Sequence, residues 1–421
     1  MSKNVGIGRN YEVPDDWMVT TIESNIIDIG DGGTPDTNFQ RYFGGNIRWA
    51  KVDDIEFKIS DTKNHLTQEG LDNSSAKLWP EGSVIVTTGA TIGKVGISQE
   101  PIATKQGITG IVTDHNLDSR YLAYFLISEK ETLLRFAQGG TFEEIRPYIL
   151  KRLRIPLPPL PEQRRIAEIL STVDELIQQT QDIIRESKNL KSGLIQDLIF
   201  FENKHGRTQT VQLGPKTADI AESWDVASLG EVTTKVQYGS SKSLSKEGVY
   251  PVFRMNNIED GKMVSSPMKY SMLNEEEAQK YRLEKGDILL NRTNSIDLVG
   301  KSGIFDLEGE YIFASYLIRI RTNEKMNPHF LNYYLNSHTG QGNLYSIATR
   351  GASQANINAT NLQQLNVPVP PLDSQDRIVR QVHSVEEKIE QEQETNQCLK
   401  YLQRGLMQDL LTGKVRAPVE T

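Results

Sequence analysis

The sequence predicts an α+β fold assembled twice in tandem: two β-rich globular halves with short helices, each running into one long helix. Three observations carry that prediction. One stretch of the chain recurs without a gap, each copy of it has apolar residues at helical spacing over many turns, and the segments before it read as short strands broken by turn residues.

The recurrence comes first because the rest is organised around it. Gly139–Leu198 overlays Gly351–Leu410 at one offset, 351 − 139 = 212. Ile145 falls on Ile357, Leu150 on Leu362, Leu153 on Leu365, and Pro156, Pro158, Pro159 and Leu160 on Pro368, Pro370, Pro371 and Leu372. Gln163, Arg165 and Ile166 meet Gln375, Arg377 and Ile378, and the closing Gly193-Leu194 and Gln196–Leu198 meet Gly405-Leu406 and Gln408–Leu410. A register held this long without an insertion marks a tandem duplication.

Each copy opens on a proline-rich run, Ile155–Leu160 and Val367–Leu372, which reads as a stiff polyproline-like spacer because proline fixes φ and removes a donor. A helix should follow, with Pro161 suited to a first helical position and Asp373 to an N-cap. Ile166, Leu170, Val173, Ile177, Ile184, Leu194 and Leu198 then recur at helical spacing, as do Ile378, Val382, Val385, Ile389, Leu399, Leu406 and Leu410. A second row, Ile169, Leu176, Ile183 and Leu190, thickens the first stripe toward a coiled-coil-like seam. A helix from Glu162 to Leu198 would be about 55 Å long at about 1.5 Å per residue, and a lone helix polar on one face needs a partner. The other copy is the obvious one.

The globular halves pair more loosely. Residues 1–14 read as a loose leader, and Trp17–Ile22 is echoed by Trp224–Leu229. Ile47–Val52 resembles Tyr250–Met255, Gly82–Val86 resembles Gly286–Leu290, Gly93–Ile97 resembles Gly300–Ile304, and the short amphipathic Arg120–Leu126 resembles His329–Leu335. These pairings need gaps, and their polar residues differ. A duplicated spacer joined to unlike globular faces predicts a protein that reads two different things at a fixed separation. The halves divide around Glu202–Ala221, a polar linker, and the tail after Gly413 reads as disordered.

Composition narrows the class. With 421 residues and 37% hydrophobic content the chain can bury more than one core. No apolar run is long enough to span a bilayer, and a single cysteine, Cys398, excludes an intramolecular disulfide and a thiolate zinc site, so the setting reads as cytoplasmic. The net charge of −8 by itself argues against a nucleic-acid binder.

Catalytic motifs fail one by one. Gly89–Lys94 has three residues between its glycines where a phosphate loop needs four, and Val95 stands where Ser or Thr would hold Mg²⁺. Its counterpart ends correctly in Gly300-Lys301-Ser302 but has Ser295 at the first glycine position, so a turn between strands is the better account. Asp36, Glu56 and Lys58 could compose a Mg²⁺ nuclease, yet the second half has no equivalent. The six histidines show no metal-ligand spacing. No catalytic centre, metal site or cofactor site emerges.

The duplicated proline run leading into Gln163–Ile166 and Gln375–Ile378, closed by Gly-Leu-Ile/Met-Gln-Asp-Leu, resembles the conserved regions of type I restriction–modification specificity subunits. Ser74–Leu78, Gly82–Val86, Ala90–Val95 and Ala103–Gly107 resemble a target-recognition-domain pattern, and Gly351–Ile357 fits the family's lead-in to the conserved helix. Gly139–Ile145 departs from that lead-in, with Phe142 and Glu144 opposite Gln354 and Asn356. The resemblance implies two target recognition domains separated by two long antiparallel helices, pseudo-twofold overall. Recognition domains would span 1–155 and, with the polar linker, 202–367; conserved regions would span 156–201 and 368–412, and the tail 413–421. It also implies a non-catalytic subunit that binds a bipartite site on double-stranded DNA, with two methyltransferase subunits and motor/endonuclease subunits as partners.

Candidate DNA-binding residues on that reading are Lys51, Thr87, Thr88, Thr91, Lys94, Lys105, Gln106 and Arg146 in the first half. In the second they are Arg254, Asn256, Asn257, Asn291, Arg292, Thr293, Asn294, Lys301, Arg350 and Gln354, with Arg292 and Asn294 foremost. The acidic balance then means that methyltransferase partners carry much of the phosphate neutralisation, and that the isolated chain binds DNA weakly. Rival readings are a non-enzymatic scaffold whose halves bind proteins, and the Mg²⁺ nuclease.

Overall fold

The computed structural model describes residues 7–89, 91–137, 144–200, 207–294, 299–350 and 355–418. The chain forms two compact units, 1–181 with 394–421, and 182–393.

In the first unit a five-stranded sheet runs in the order Ile26–Asp31, Ile108–Thr113, Val84–Thr87, Val95–Ser98, Lys58–Ile59. Val84–Thr87 is buried at all four positions, as an apolar β-branched run should be in mid-sheet. A four-stranded sheet, ordered His65–Leu66, Phe43–Ala50, Ile102–Thr104, Leu78–Trp79, accompanies it. Trp79 is fully buried, and a Cβ at Gly110 would fall 2.2 Å from its ring, so the strand can pass the indole only as glycine.

The second unit repeats this plan with a six-stranded sheet in the order Thr233–Tyr238, Leu317–Thr322, Asp287–Asn291, Ser302–Phe305, Lys262–Met263, Ile258–Glu259. A three-stranded sheet of Lys269–Ser271, Tyr250–Phe253 and Ile312–Phe313 accompanies it. The expected short amphipathic helices are Ser119–Ser128 and Pro328–Asn336. Each is N-capped by the residue before it: Asp118 accepts from Arg120 and Tyr121 N–H at 3.0 and 3.2 Å, and Asn327 from His329 and Phe330 N–H at 2.9 and 3.4 Å.

The long helices are Leu160–Phe200 and Leu372–Leu410. Within the first unit the start of one lies antiparallel to the end of the other. Gln403 Nε2 donates to Asp174, and Asn396 Nδ2 donates to the Ile177 carbonyl at 3.1 Å. Ile166 and Leu170 share a core there with Met407 and Leu410. Within the second unit the other ends pair in the same sense: Lys191 Nζ meets Glu386 Oε1 at 3.2 Å, and Ile195 and Ile199 share a core with Ile378 and Val382.

Five expectations need correction. The proline runs are strands: Arg154–Leu157 pairs antiparallel with Met18–Thr21, and Asn366–Val369 with Asp225–Ser228. Two-stranded ribbons tolerate proline because each strand has a free edge toward which its missing donor can face. Asp373 lies inside the first helical turn, where its charge complements the helix dipole, while Ser374 N–H donates to the Pro371 carbonyl at 2.9 Å. The second apolar row thickens the seam only at its start: Ile169 packs on the first unit's core, whereas Leu176, Ile183 and Leu190 are 44%, 38% and 61% exposed. The linker from 208 onward is a hairpin, Thr208–Leu213 with Lys216–Ala221, turning at Gly214-Pro215 and burying Leu213 and Ile220.

The fifth correction concerns both chain ends. Ile7 N–H donates to the Arg152 carbonyl at 2.8 Å, and Tyr11 packs on Phe125, so the leader is tied down from Ile7. At the other end Arg416 clamps two carboxylates: Nε and Nη2 donate to Glu162 at 2.8 and 2.7 Å, and Nη1 and Nη2 to Asp16 at 2.8 and 2.7 Å. Trp17 Nε1 adds a bond to Glu162 at 3.0 Å. Burial alone would raise the Glu162 carboxyl, but the bonds from Arg416 and Trp17 outweigh it and hold it below the ordinary carboxylate range. A carboxyl depressed on folding stabilises the fold above its unfolded pKa, about 4.3 for glutamate, and that stability drains away as pH falls through the folded value. Arg416→Ala should therefore lower stability at pH 7, because Glu162 (side chain 3% exposed) keeps its burial and loses its counter-ion. The variant should also lose less stability than the wild type between pH 7 and pH 4. Urea denaturation at the two pH values tests both; equal stability at pH 7 would refute the clamp.

Candidate nucleic-acid interface

The same backbone framework recurs inside each unit at the loops that follow the central strands. Thr88 N–H donates to the Gly107 carbonyl at 2.8 Å, and its own carbonyl accepts from Ile145 at 2.8 Å. Arg292 N–H donates to the Tyr316 carbonyl at 3.0 Å, and its carbonyl accepts from Ile357 at 2.8 Å. Thr87 and Lys94 close one hairpin (N–O 2.9 Å) as Asn291 and Lys301 close the other (2.8 Å), so each rejected phosphate motif ends on a pair of hydrogen-bonded strands. Thr88 and Arg292 thus occupy equivalent backbone positions. By the same strand pairing Asp31 stands where Tyr238 does, each preceding a glycine, Gly32 or Gly239, whose N–H bonds to the neighbouring strand.

What the two frameworks display is different. In the first unit Thr88 is 1% exposed and its hydroxyl lies 3.3 Å from that of Thr109, while Asp31 Oδ1 accepts from Gly107 N–H at 3.2 Å. Thr87, also 1% exposed, bonds Lys94 N–H at 2.9 Å. Neither hydroxyl is presented to a ligand, which corrects their place among the candidates: a hydroxyl following an apolar run continues the strand into the core. Lys51 is half-buried, with Nζ on Asn64 Oδ1 at 3.0 Å and over the Trp49 ring at 5.1 Å. Lys94 is exposed and reaches the Val52 carbonyl at 3.1 Å. Thr91, Lys105, Gln106 and Arg146 are exposed, and the Lys105 and Arg146 side chains make no hydrogen bond or ion pair among the described residues.

In the second unit Arg292 is half-buried, its guanidinium 4.4 Å from the centre of the Tyr238 ring, with Nη2 donating to Asn356 Oδ1 at 3.3 Å. Asn356 Nδ2 in turn donates to Thr293 Oγ1 at 3.1 Å. A small sheet of Thr293–Asn294, Ala355–Asn356 and Thr349–Arg350 therefore gathers Arg292, Thr293, Asn294 and Arg350. Asn256 is exposed; Arg254 is half-buried and donates to the Pro267 carbonyl at 3.0 Å. Lys301 is half-buried on the hairpin. Asn257 and Asn291 are 0% and 1% exposed, and Asn257 Nδ2 serves the Val264 and Pro267 carbonyls at 3.1 and 3.2 Å, so burial removes both from the accessible set. Gln354 and Phe142 lie outside the described residues.

Sequence reasoning passed over Tyr238 and Tyr316, and placed Asn356 only in the lead-in to the second conserved helix. The two tyrosines, 37% and 50% exposed, are aromatics at strand and turn ends, and only strand pairing brings them beside Arg292. The nuclease set does not assemble: Lys58 Nζ pairs with Glu175 at 3.2 Å, and Asp36 caps its own turn through Asn38 N–H at 2.9 Å. Among the described residues no three His, Cys, Asp or Glu side chains converge as metal ligands.

Below the loops, each unit locks its recurring helix to the globular part in the same way. Gln163 Oε1 accepts from Asp118 N–H at 2.8 Å, and Nε2 donates to the Asn116 and Pro158 carbonyls at 2.8 and 2.9 Å. Gln375 repeats this with Asn327 N–H at 2.7 Å and the Lys325 and Pro370 carbonyls at 3.0 and 2.8 Å. Tyr124 donates to Asp174 at 2.6 Å, and Tyr333 to Glu386, the copy of Asp174, at 3.1 Å. Burial first, and these carboxylates second, push both tyrosine hydroxyls far above their ordinary range.

A family profile described as the type I restriction modification DNA specificity domain matches residues 14–188 and again 221–401. The chain belongs to that family. It is 25% identical to the MjaIX type I restriction enzyme specificity subunit of Methanocaldococcus jannaschii, over 98% of this chain and 96% of that one. It is 22% identical to the EcoKI specificity subunit of Escherichia coli K12, over 80% of this chain and 74% of that one. The crystal structure of the type I restriction-modification system S subunit from M. genitalium shares the fold, with TM-score 0.57 and 17% identity over 100% of both chains. Specificity subunits of this family are non-catalytic; they bind DNA and work with methyltransferase and restriction subunits. Among the described residues no helix is long and apolar enough to cross a membrane.

Proposed function

We propose that each globular half reads one half of a bipartite, asymmetric DNA site, with the paired long helices setting the spacer between the half-sites. One observation carries this: equivalent backbone positions bear Thr88 and Asp31 in one unit and Arg292 and Tyr238 in the other. A shared frame with unlike side chains suits two different base sequences, because base edges in the major groove differ in their donors and acceptors. The recognition domains are assigned to 1–155 and 202–367 and the conserved regions to 156–201 and 368–412. Contacts to DNA are assigned to Thr91, Lys94, Lys105, Gln106 and Arg146 in the first half, with Lys51 at their edge. In the second they are assigned to Arg254, Asn256, Arg292, Thr293, Asn294, Lys301, Arg350 and Gln354.

The chain acts with two methyltransferase subunits, which supply most of the phosphate neutralisation that a net charge of −8 withholds, and with motor/endonuclease subunits for restriction, in the cytoplasm. The test is co-expression with the cognate methyltransferase subunit followed by sequencing of methylated bases. A single motif of two short unlike blocks separated by unspecified bases is the expected result. A continuous motif, or methylation independent of this chain, would overturn the proposal.

A further inference from the structure

The geometry points to a guanine reader in the second half: Arg292 contacts a guanine of that half-site, and Tyr238 and Asn356 are the positioning residues that aim it. The inference rests on the two-half-site reading above and goes further, naming the base and the residues that fix the contact. Three features of the unit lead to it.

First, Arg292 is held on two sides. Its guanidinium stacks over Tyr238 at 4.4 Å, and Nη2 is tethered to Asn356 Oδ1 at 3.3 Å. Each η nitrogen carries two hydrogens, so the tether leaves donors on both, in the planar fork that matches the O6 and N7 acceptors of guanine. Its Nε is buried and makes no hydrogen bond among the described residues, which leaves the η edge as the one available for recognition.

Second, the parts that hold Arg292 are themselves anchored. Tyr238 Oη accepts from Ala359 N–H at 2.8 Å, and its neighbour Gln237 accepts from Arg319, a guanidinium only 1% exposed that also meets Asp287 at 3.6 Å. Asn356 is fixed by Thr293 and by strand pairing on both sides. An arginine ordered before binding loses less side-chain entropy on contact than a free one. A lysine that merely neutralises a phosphate needs no such mounting.

Third, the equivalent positions of the first unit carry no arginine and no aromatic ring. Thr88 occupies the position of Arg292 and turns inward, and Asp31 occupies that of Tyr238 and bonds backbone. The guanine requirement should therefore belong to one half-site alone.

The experiment uses the full chain co-expressed with its methyltransferase subunits, with methylated motifs sequenced for the wild type, Arg292→Ala, Arg292→Lys, Tyr238→Leu, Asn356→Ala and Asn356→Asp. Arg292→Ala and Arg292→Lys should each relax one G·C position by roughly tenfold to hundredfold, because lysine keeps the charge and loses the fork. Tyr238→Leu and Asn356→Ala should relax the same position by less and leave the other half-site untouched. Asn356→Asp keeps the acceptor and should retain the guanine preference. A purely structural role for Asn356 or Tyr238 would lower total methylation without changing base preference at that position, and would overturn their assignment. Relaxation at an A·T position, or uniform weakening with the motif intact, would overturn the Arg292 assignment; Arg292→Lys, which keeps size and charge, guards against misfolding as the cause. A wild-type motif lacking two separated blocks sinks the underlying reading. A bipartite motif unchanged in both Arg292 variants sinks only this inference.

Discussion

Deleting seven residues from each long helix at matched positions, 179–185 and 391–397, is expected to shorten the spacer of the methylated motif by about three base pairs and leave both half-site sequences unchanged. Seven residues of helix are about 10.5 Å at about 1.5 Å per residue, close to three steps of duplex at about 3.4 Å each. A heptad returns nearly the same helix face, drifting by only about 20°, so the seam can close again. The apolar pattern survives the cut. Leu176 and Ile177 replace Ile183 and Ile184, and Ile389 takes the place of Asn396, whose bond to the Ile177 carbonyl is the loss to be absorbed. Removing four residues instead turns the face by about 40° and should abolish methylation. Methylated-motif sequencing reads the spacer directly, and an unchanged spacer in a fully active heptad deletion would end the measuring-rod proposal.

Gln163→Leu and Gln375→Leu are each expected to cost about 3 kcal/mol, seen as a lowered urea midpoint. Both glutamines are at most 1% exposed, and each joins the start of a long helix to a helix N-cap residue and two carbonyls. Leucine fills the space and leaves those groups without partners away from water, which is where the penalty arises. The two sites lie in different units and share no partner, so the double variant should lose the sum within about 0.5 kcal/mol. A loss under about 0.5 kcal/mol in either single variant would mean that the glutamine is incidental.

Much of the fold was legible because it depends on local pattern. The 212-residue offset marked the duplication, and it extends to interactions that no pattern displays: Asp174 and Gln403 form one helix-to-helix pair, while their copies Glu386 and Lys191 form another. The misread segments share one cause. Proline density in Arg154–Leu157 suggests a lone extended spacer until Met18–Thr21 arrives from far away to pair with it. The tail past Gly413 is polar and short, and only the distant Glu162 and Asp16 give Arg416 a reason to be ordered.

The candidate site was legible at coarser grain. Arg292 stood out as a charged residue after a buried strand, but Thr87, Thr88, Asn257 and Asn291 stood beside it among the candidates, and it is burial that removes them. Tyr238 and Asn356 lie 54 and 64 positions from Arg292 (292 − 238 and 356 − 292), a distance over which no spacing rule operates.

By itself, then, the amino-acid order determined that this is a doubled α+β chain with two long helices, since periodicity and duplication are properties of neighbours along the chain. Which polar side chains stay exposed, which are spent holding the loops, and which residue packs over Tyr238 were decided by tertiary structure. Those outcomes depend on strand pairing and burial between residues far apart in sequence, and two halves with the same backbone bonds can resolve them in opposite ways.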